Sequence, residues 1–264
     1  MGFSKENPSK GKTVENILLF LCSGTSSRFN GKTKALAKLT DKSIIEFNIE
    51  HLKDLYDTVY VVANENNVSE FNKYNLDANI LTIKTGNGDA DSLLNALDEL
   101  HKIEDFENCY VTLCWGDTVF YRTDVFEKLI RDNSKKLQIV CALDNDPYAY
   151  FDFITDSGNI NNARILKSHF KTEKSVSIGL HDKSAFRIPL DLLYKNLKFF
   201  KEQHFEYSND ELKFLKFIDY YSDILDIRCV LCDSDSSMSF NTPEELDDIR
   251  RFMHIKQITA KYTI

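Results

Sequence analysis

Short apolar runs and amphipathic segments follow one another in a regular order through the first half of the chain. Five apolar runs are predicted as strands, at 17–22, 58–63, 79–83, 109–115 and 138–143. Between them, apolar residues recur at helical spacing, most clearly over 44–55 and 93–100. Strands that alternate with helices predict an α/β fold with a mostly parallel central sheet and helices on both of its faces. Ligands of such sheets bind at the carboxyl ends of the strands, so the loops there are the first candidates for a site.

The second half of the chain follows a different pattern. Two runs at 148–154 and 160–166 flank Thr155-Asp156-Ser157-Gly158-Asn159, which is typical of a hairpin turn. Helices are predicted around 190–201 and 210–222, a strand at 227–232, and a last helix that opens at Pro243. We expect a single domain over 16–255, between a polar lead-in at 1–15 and a tail at 256–264.

Composition and charge exclude several classes of protein. The chain has 264 residues and a net charge of −8, which argues against a broad nucleic-acid or anionic-membrane surface. No apolar run approaches the roughly 20 residues of a membrane span, and the Lys-rich start is no secretory signal, so a cytoplasmic protein is expected. The six cysteines lie in apolar runs and are predicted as buried thiols. Cys229 and Cys232 have zinc-knuckle spacing, but no second pair or histidine accompanies them.

The loop from Ser23 to Lys34 follows the first predicted strand. Its small residues, up to Ser27, allow the backbone to approach phosphate groups, and Arg28, Lys32 and Lys34 supply cations. A polar surface loop would have the same composition. A P-loop is a second alternative, since Ser26-x-x-x-x-Gly31-Lys32-Thr33 differs from that motif only at Ser26, where a glycine is needed.

Two further loops follow predicted strands. Gly86-Asn87-Gly88-Asp89 precedes a helix that begins near Ser92, and its glycines would let the backbone lie against a flat ligand, although a tight capped turn is an alternative. Trp115-Gly116-Asp117 ends a buried strand, and a carboxylate there can hold Mg²⁺ against phosphates, although such an Asp is also a common helix cap.

The order of these elements resembles the nucleotidyltransferase family, which includes sugar-1-phosphate nucleotidyltransferases and small-molecule cytidylyltransferases. The family shares Leu-x-x-Gly-x-Gly-x-Arg followed by Pro-Lys-x-Leu, and here Ser26 replaces the second glycine and Thr33 the proline. The resemblance implies a three-layer α/β/α Rossmann-like (GT-A-like) domain, with Arg28 and Lys34 as catalytic cations at the triphosphate. It also implies nucleotide contacts from Cys22, Ser23, Gly24, Thr25, Ser26, Ser27, Gly86, Asn87, Gly88, Asp89, Ser92, Trp115 and Gly116.

The resemblance extends to the end of the chain. Asn241-Thr242-Pro243-Glu244-Glu245 is similar to the family's closing element, whose first residue completes the Mg²⁺ site beside Asp117. Asp233 and Asp235 are alternative second ligands. The segment 148–225 corresponds to the acceptor-binding portion, where the candidates are Tyr148, Tyr150, Arg164, Lys167 and His181.

The sequence therefore predicts a Mg²⁺-dependent nucleotidyltransferase. The ending Ser92-Leu93-Leu94-Asn95-Ala96-Leu97 most resembles cytidylyltransferases, which favours CTP over another NTP. The Glu-Lys-Pro usual in sugar enzymes is absent, so we expect a small phosphorylated acceptor of the phosphoglutamine, phosphocholine or glycerol phosphate type, activated for surface polysaccharide or capsule modification. A sugar-1-phosphate nucleotidyltransferase, a P-loop-like kinase and a non-catalytic nucleotide-binding domain are the alternatives. No nucleic-acid or membrane partner is expected, and formation of a homo-oligomer is left open.

Overall fold

The computed structural model describes residues 14–24, 29, 33–156, 158–207 and 210–262, of which 204–207 and 257–262 are described by their backbone alone. The predicted lead-in at 1–15 lies almost wholly outside these residues. The strands are β1 (Glu15–Leu21), β2 (Thr58–Asn64), β3 (Asn79–Ile83), β4 (Cys109–Trp115), β5 (Thr118–Phe120), β6 (Leu137–Asn145), β7 (Ala149–Ile154), β8 (Arg164–Phe170), β9 (Ile178–Pro189), β10 (Ile227–Leu231) and β11 (Ser237–Ser239). The helices are α1 (Ile44–Leu52), α2 (Val68–Phe71), α3 (Asp89–Leu100), α4 (Asp124–Arg131), α5 (Leu190–Tyr207), α6 (Phe214–Tyr221) and α7 (Pro243–Tyr262).

Nine of these strands form one sheet in the order β3-β2-β1-β4-β9-β6-β10-β8-β7, and β5 pairs separately with β11. The first four strands of this order are parallel, and β6 is parallel to β10. β8 and β9 run against their neighbours, so seven strands of the described sheet point one way and two the other. The predicted mostly parallel α/β sheet is confirmed. Its parallel half brings the carboxyl ends of β1, β3 and β4 to the same edge.

Helices cover both faces of the sheet, as predicted for three layers. The side chains from Ile17 to Phe20 of β1 are fully buried, which explains their uninterrupted apolar character. α3, α5 and α6 pack on one face, and α1, α2 and α4 pack on the other. α1 begins at a capping box between Ser43 and Glu46, and each buried Ile or Leu contributes about 1.5–3 kcal/mol to such packing. The N-terminal part of α7 packs with α1, β5 and β11 in a third apolar cluster.

β9 is the one long strand that the hydrophobic pattern does not predict. Its middle is His181-Asp182-Lys183-Ser184, which reads as a polar loop. The neighbouring strand β6 supplies Asp144, whose Oδ2 lies 3.1 Å from His181 Nδ1 and 3.2 Å from Lys183 Nζ. Burial alone would raise the pKa of Asp144, but hydrogen bonds from neighbouring side chains, His181 first, hold that pKa well below its usual range. Long-range ionic partners therefore allow a polar sequence to lie inside the sheet.

The other elements lie close to their predicted positions. β3 and β4 have the predicted bounds, and β7 and β8 form the predicted antiparallel pair. α7 continues to Tyr262, so most of the stretch predicted as a tail is helical. Within the described residues, none of the helices combines the length and the apolar character needed to cross a membrane.

Candidate active site

The three loops chosen from the sequence meet at one cavity of about 530 Å³, which we call the main cavity. It lies at the sheet edge where β1, β3 and β4 end. The first half of the chain lines it with Leu21, Cys22, Ser23, Gly24, Thr33, Lys34, Ala35, Thr85, Gly86, Gly88, Asp89, Ser92, Trp115, Gly116 and Asp117. The second half adds Phe170, Glu211, Lys213, Leu215 and Asn241.

The loop after β1 is held in place by two buried asparagines that sequence reasoning missed. Asn67 Nδ2 donates to the carbonyl of Cys22 at 2.9 Å, and Asn64 Nδ2 donates to the carbonyl of Ser23 at 2.6 Å. In a planar trans peptide the N–H points opposite to the C=O. The amides of Ser23 and Gly24 are therefore directed away from the asparagines, which is the arrangement that an anion-binding loop needs. The Ser23 hydroxyl lines the cavity and is buried with no protein partner among the described residues.

The remaining residues of this loop lie outside the described residues, and their predicted roles stay predictions. They are Thr25, Ser26, Ser27 and Arg28, with Gly31 and Lys32 of the P-loop alternative. The hydroxyl of Thr33, which would bind metal in a P-loop, donates to Glu70 Oε2 at 2.7 Å.

The loop before α3 owes its glycines to close packing. A Cβ on Gly86 would lie 2.5 Å from the backbone nitrogen of Ser92. Gly88 has a φ of 110°, and a Cβ there would lie 2.3 Å from the carbonyl oxygen of Leu212. The carbonyl of Asn87 accepts from the Leu212 amide at 2.8 Å, so the segment before α6 is bonded directly to this loop. The turn interpretation accounts for the glycines, and the loop still forms one wall of the main cavity.

Asp89 is the ionisable group of this loop. Its Oδ1 accepts from the amides of Ala90 and Phe214, each at 2.8 Å. Burial raises the pKa of Asp89 to about 6, although these two hydrogen bonds act in the opposite direction. Next to it, Asp91 forms an ion pair with Lys201 at 2.5 Å.

Gly116 is required where β4 ends beside β1. Its amide donates to the carbonyl of Leu21 at 3.0 Å, and a Cβ would lie 2.5 Å from the sulfur of Cys22. This close approach places Asp117 in the wall of the main cavity. Burial, and then the charge of Asp117, raise the pKa of the Cys22 thiol well above its usual value, so Cys22 is a neutral packing residue.

Lys34 lies where the predicted metal ligands converge. Its Nζ is 2.9 Å from Asp117 Oδ2, 3.1 Å from Asn241 Oδ1 and 3.2 Å from the carbonyl oxygen of Phe240. The ammonium therefore marks a position at which three oxygens can hold a cation. Carboxylate, amide and carbonyl oxygens are suitable for Mg²⁺, which takes few protein ligands and keeps waters. Among the described residues no three His, Cys, Asp or Glu side chains form a metal-binding group, so this mixed oxygen set is the candidate.

Asn241 is fixed by the start of α7. Glu245 Oε2 accepts from the amides of both Asn241 and Thr242, which is a helix-capping arrangement. The two alternative metal ligands form ion pairs with other residues. Asp233 pairs with Arg122 at 2.9 Å, and Asp235 pairs with Lys256 at 2.9 Å.

The acceptor candidates are not brought together in the main cavity. Tyr148 is exposed and packs on Phe170, Tyr150 is buried and stacks on His169, and Lys167 is exposed on β8. Arg164 Nη2 donates to the carbonyl of Ser222. His181 lines a second cavity of about 370 Å³, which is formed by His181, Asp182, Lys183, Ser234, Ser237, Met238, Ser239, Glu245, Asp248 and Ile249.

The sequence of this chain is similar to those of known proteins. A family profile, the MobA-like NTP transferase domain, matches residues 18–165, which is more than half of the chain. A protein of Natranaerobius thermophilus described as a probable molybdenum cofactor guanylyltransferase is 23% identical over 91% of this chain and 98% of its own length.

Two solved structures share the fold. The nucleoside-diphosphate-sugar pyrophosphorylase of Vibrio cholerae superposes with a TM-score of 0.65 at 14% identity, over 89% of this chain and 99% of its own. The CTP:phosphocholine cytidylyltransferase of Streptococcus pneumoniae superposes with a TM-score of 0.66 at 14% identity, over 91% of this chain and 100% of its own.

Proposed function

Because this chain belongs to the family of MobA-like NTP transferases, we propose that it is a cytidylyltransferase that condenses CTP with a small phosphorylated acceptor. The family makes it a nucleotidyltransferase enzyme, with an NTP and an acceptor as its substrates. Its product would be a CDP-activated small molecule of the kind used in surface polysaccharide or capsule modification.

One observation carries the proposal. Lys34, Asp117 and Asn241 are distant in sequence, yet they meet within 3.1 Å at the cavity that the loops after β1 and before α3 also line. Nucleotidyl transfer needs these parts together, since a triphosphate has to be gripped, its charge neutralised and its base held at a fixed distance. The unpartnered Ser23 hydroxyl and the outward amides of the loop after β1 supply further donors for phosphate oxygens.

The reaction requires no covalent enzyme intermediate. An oxygen of the acceptor phosphate forms a bond to the α-phosphorus of CTP, and the bond from that phosphorus to the oxygen shared with the β-phosphate breaks. Pyrophosphate leaves with the bonding electrons, so negative charge grows on the leaving group. The acceptor phosphate is already anionic, and no general base is needed. Lys34 lines the main cavity, where its ammonium can stabilise this charge. Arg28 is the second cation that the family resemblance predicts.

The oxygen atoms around Lys34 fit Mg²⁺. Asp117, Asn241 and the carbonyl of Phe240 would hold the ion, which when bound orients the phosphates and neutralises their charge. Lys34 then has to leave this position, and the triphosphate is the anion available to receive it.

CTP is favoured over other nucleotides by the sequence of α3 from Ser92 to Leu97, which resembles cytidylyltransferases, and by the similarity of the fold to a cytidylyltransferase. GTP is the specific competitor, because the curated relative is described as a guanylyltransferase. The absent Glu-Lys-Pro supports a small acceptor over a sugar phosphate.

The proposal is tested by measuring pyrophosphate release with ATP, CTP, GTP and UTP, each against phosphocholine, phosphoethanolamine, glycerol 3-phosphate and glucose 1-phosphate in the presence of Mg²⁺. We expect release with CTP and a small phosphorylated alcohol. Release with GTP alone would replace the cytidylyl assignment with a guanylyl one. Asp117→Asn is expected to lose activity, whereas Asp152→Asn, on β7 and outside both cavities, is the matched control.

A further inference from the structure

The short helix α2 and the turn before it contact both described ends of the loop after β1. Asn64 and Asn67 hold the backbone carbonyls at the beginning of this loop. Glu70, on α2 itself, accepts a hydrogen bond of 2.7 Å from the hydroxyl of Thr33 at the end of the loop. Both ends are therefore fastened to one short segment, residues 64–71, which comprises the last residue of β2, the turn and α2.

Residues 64–71 are held together by reciprocal hydrogen bonds. Asn64 Oδ1 accepts from the amides of Asn66 and Asn67 at 2.8 and 3.0 Å, and Asn67 Oδ1 accepts from the amide of Asn64 at 2.8 Å. Phe71, at the end of α2, is fully buried in the apolar layer on this face of the sheet. A helix of four residues is not stable by itself, so these contacts are what fix α2 to the sheet.

Thr33 leads directly into the turn that carries Lys34. Thr33 is buried, its carbonyl accepts from the Leu36 amide at 3.1 Å, and the carbonyl of Lys34 accepts from the Ala37 amide at 2.9 Å. The bond from Thr33 to Glu70 and these turn bonds together fix the backbone of Lys34. Its long side chain keeps rotational freedom, so the ammonium can move from the metal position to a triphosphate without movement of the backbone.

We propose that Glu70 is a positioning residue for the triphosphate. With Asn67 it holds the two ends of the loop after β1 at a fixed separation, so that the amides at the beginning of the loop and the ammonium of Lys34 reach the same phosphate chain. Glu70 lies outside the main cavity, whereas Thr33 lines it, so Glu70 acts through Thr33 and Lys34. A site that is fixed before its ligand arrives loses less entropy on binding. This inference rests on the proposed function, since it takes Lys34 and the loop as the triphosphate site.

The test measures binding of inorganic tripolyphosphate in the presence of Mg²⁺ by calorimetry. Tripolyphosphate carries the phosphate chain of every NTP, so the result does not depend on which base the enzyme prefers. Glu70→Ala removes the anchor of Thr33, and the Kd should rise about tenfold, the effect of one lost hydrogen bond to a charged group. Glu70→Gln keeps an oxygen that accepts from the Thr33 hydroxyl, and its Kd should stay within about threefold of the wild type.

Glu104→Ala is the matched control. Glu104 also accepts from a hydroxyl, that of Tyr60, and is also partly exposed, but it lies beyond the C-terminal end of α3, outside the main cavity. Its Kd for tripolyphosphate should equal that of the wild type. Loss of binding in both alanine variants would mean a general loosening of the fold and would overturn the inference.

Thr33→Val removes the other partner of the same bond and keeps the shape of the side chain. The double variant Thr33→Val/Glu70→Ala should bind tripolyphosphate no more weakly than the weaker of the two single variants, because only one bond is lost. Effects that multiply in the double variant would overturn the inference. So would unchanged binding in Glu70→Ala, a loss in Glu70→Gln as large as that in Glu70→Ala, or undetectable binding to the wild type.

In turnover the effect should be confined to the nucleotide. For Glu70→Ala we expect kcat/KM for CTP to fall about tenfold, while the KM for the phosphorylated acceptor stays within about twofold of the wild type. A matching rise in the acceptor KM would overturn the positioning role. Absence of pyrophosphate release with every nucleotide, from wild-type enzyme that binds tripolyphosphate, would instead contradict the proposed function.

Discussion

Removal of Lys34 is expected to strengthen metal binding in the nucleotide-free protein. The ammonium occupies the position between Asp117, Asn241 and the carbonyl of Phe240, so a metal ion and Lys34 cannot be there together. In Lys34→Met the apolar stem remains and the competing charge is gone. The same variant is expected to bind CTP more weakly, because Lys34 is no longer available to the triphosphate.

The size of the expected change in metal affinity follows from the ion pair between Lys34 and Asp117. Lys34 and Asp117 are 2.9 Å apart, with side chains 12% and 32% exposed. At an effective dielectric constant near 20, two unit charges at this separation attract by about 6 kcal/mol, and desolvation leaves a net of about 1.5–3 kcal/mol for such a charge-assisted bond. Loss of that competitor corresponds to about tenfold to a hundredfold tighter metal binding.

The assay is electron paramagnetic resonance of Mn²⁺, whose free signal falls as the ion binds to the protein. Lys38→Met is the control, since Lys38 is an exposed lysine bonded to the carbonyl of Asp41 outside the main cavity. Tighter Mn²⁺ binding and weaker CTP binding in Lys34→Met are the expected pair of results. Unchanged or weaker Mn²⁺ binding would refute the shared position of metal and ammonium.

Three further predictions concern the loops. Asn67→Ala removes a buried bond to the Cys22 carbonyl worth about 1–2 kcal/mol, so the Kd for CTP should rise about fivefold or more in a fluorescence titration. The control is Asn72→Ala, at an exposed position directly after α2, which should leave the Kd unchanged. Gly88→Ala places a Cβ against backbone atoms and should lower the free energy of unfolding in urea by about 2–4 kcal/mol. The control is Gly158→Ala, which also has a positive φ, 76°, but has open space around the new Cβ and should cost about 1 kcal/mol. Equal losses of stability in the two variants would contradict the packing argument. The raised pKa of Asp89, about 6 in the native protein, means that the native state binds this proton more tightly than the unfolded chain. Stability should therefore fall by up to ~3 kcal/mol as pH rises from about 4 to about 6, and urea unfolding of Asp89→Asn should lack that decline.

The local hydrophobic pattern was sufficient to predict the strands that precede the loops of the main cavity. β1 and β4 are buried on both faces and read as continuous apolar runs, and the order strand, loop, helix then placed Cys22 to Gly24 and Gly116-Asp117 at one sheet edge. The resemblance to nucleotidyltransferases assigned Lys34, Asp117 and Asn241 to one site, and in the structure these three side chains are in contact.

Contacts between distant segments were beyond sequence reasoning. Asn64 and Asn67 follow an apolar strand and read as turn residues, because their partners, the carbonyls after β1, lie more than 40 residues away. The sequence of β9 resembles a loop because its middle is polar. It forms a strand because Asp144 on β6 contacts His181 and Lys183. Leu212 is bonded to the loop before α3 through its backbone, and backbone bonds leave no side-chain pattern in the sequence.

The central claim is nucleotidyl transfer in the main cavity, and ³¹P nuclear magnetic resonance of the reaction mixture tests it most directly. Wild-type enzyme incubated with CTP, phosphoethanolamine and Mg²⁺ should convert both substrates into a diphosphate diester and an equal amount of pyrophosphate, and Asp117→Asn should leave the CTP signals unchanged. Appearance of CDP with a phosphorylated product, which is the outcome of kinase chemistry, would contradict the account, as would an Asp117→Asn variant that retains full turnover.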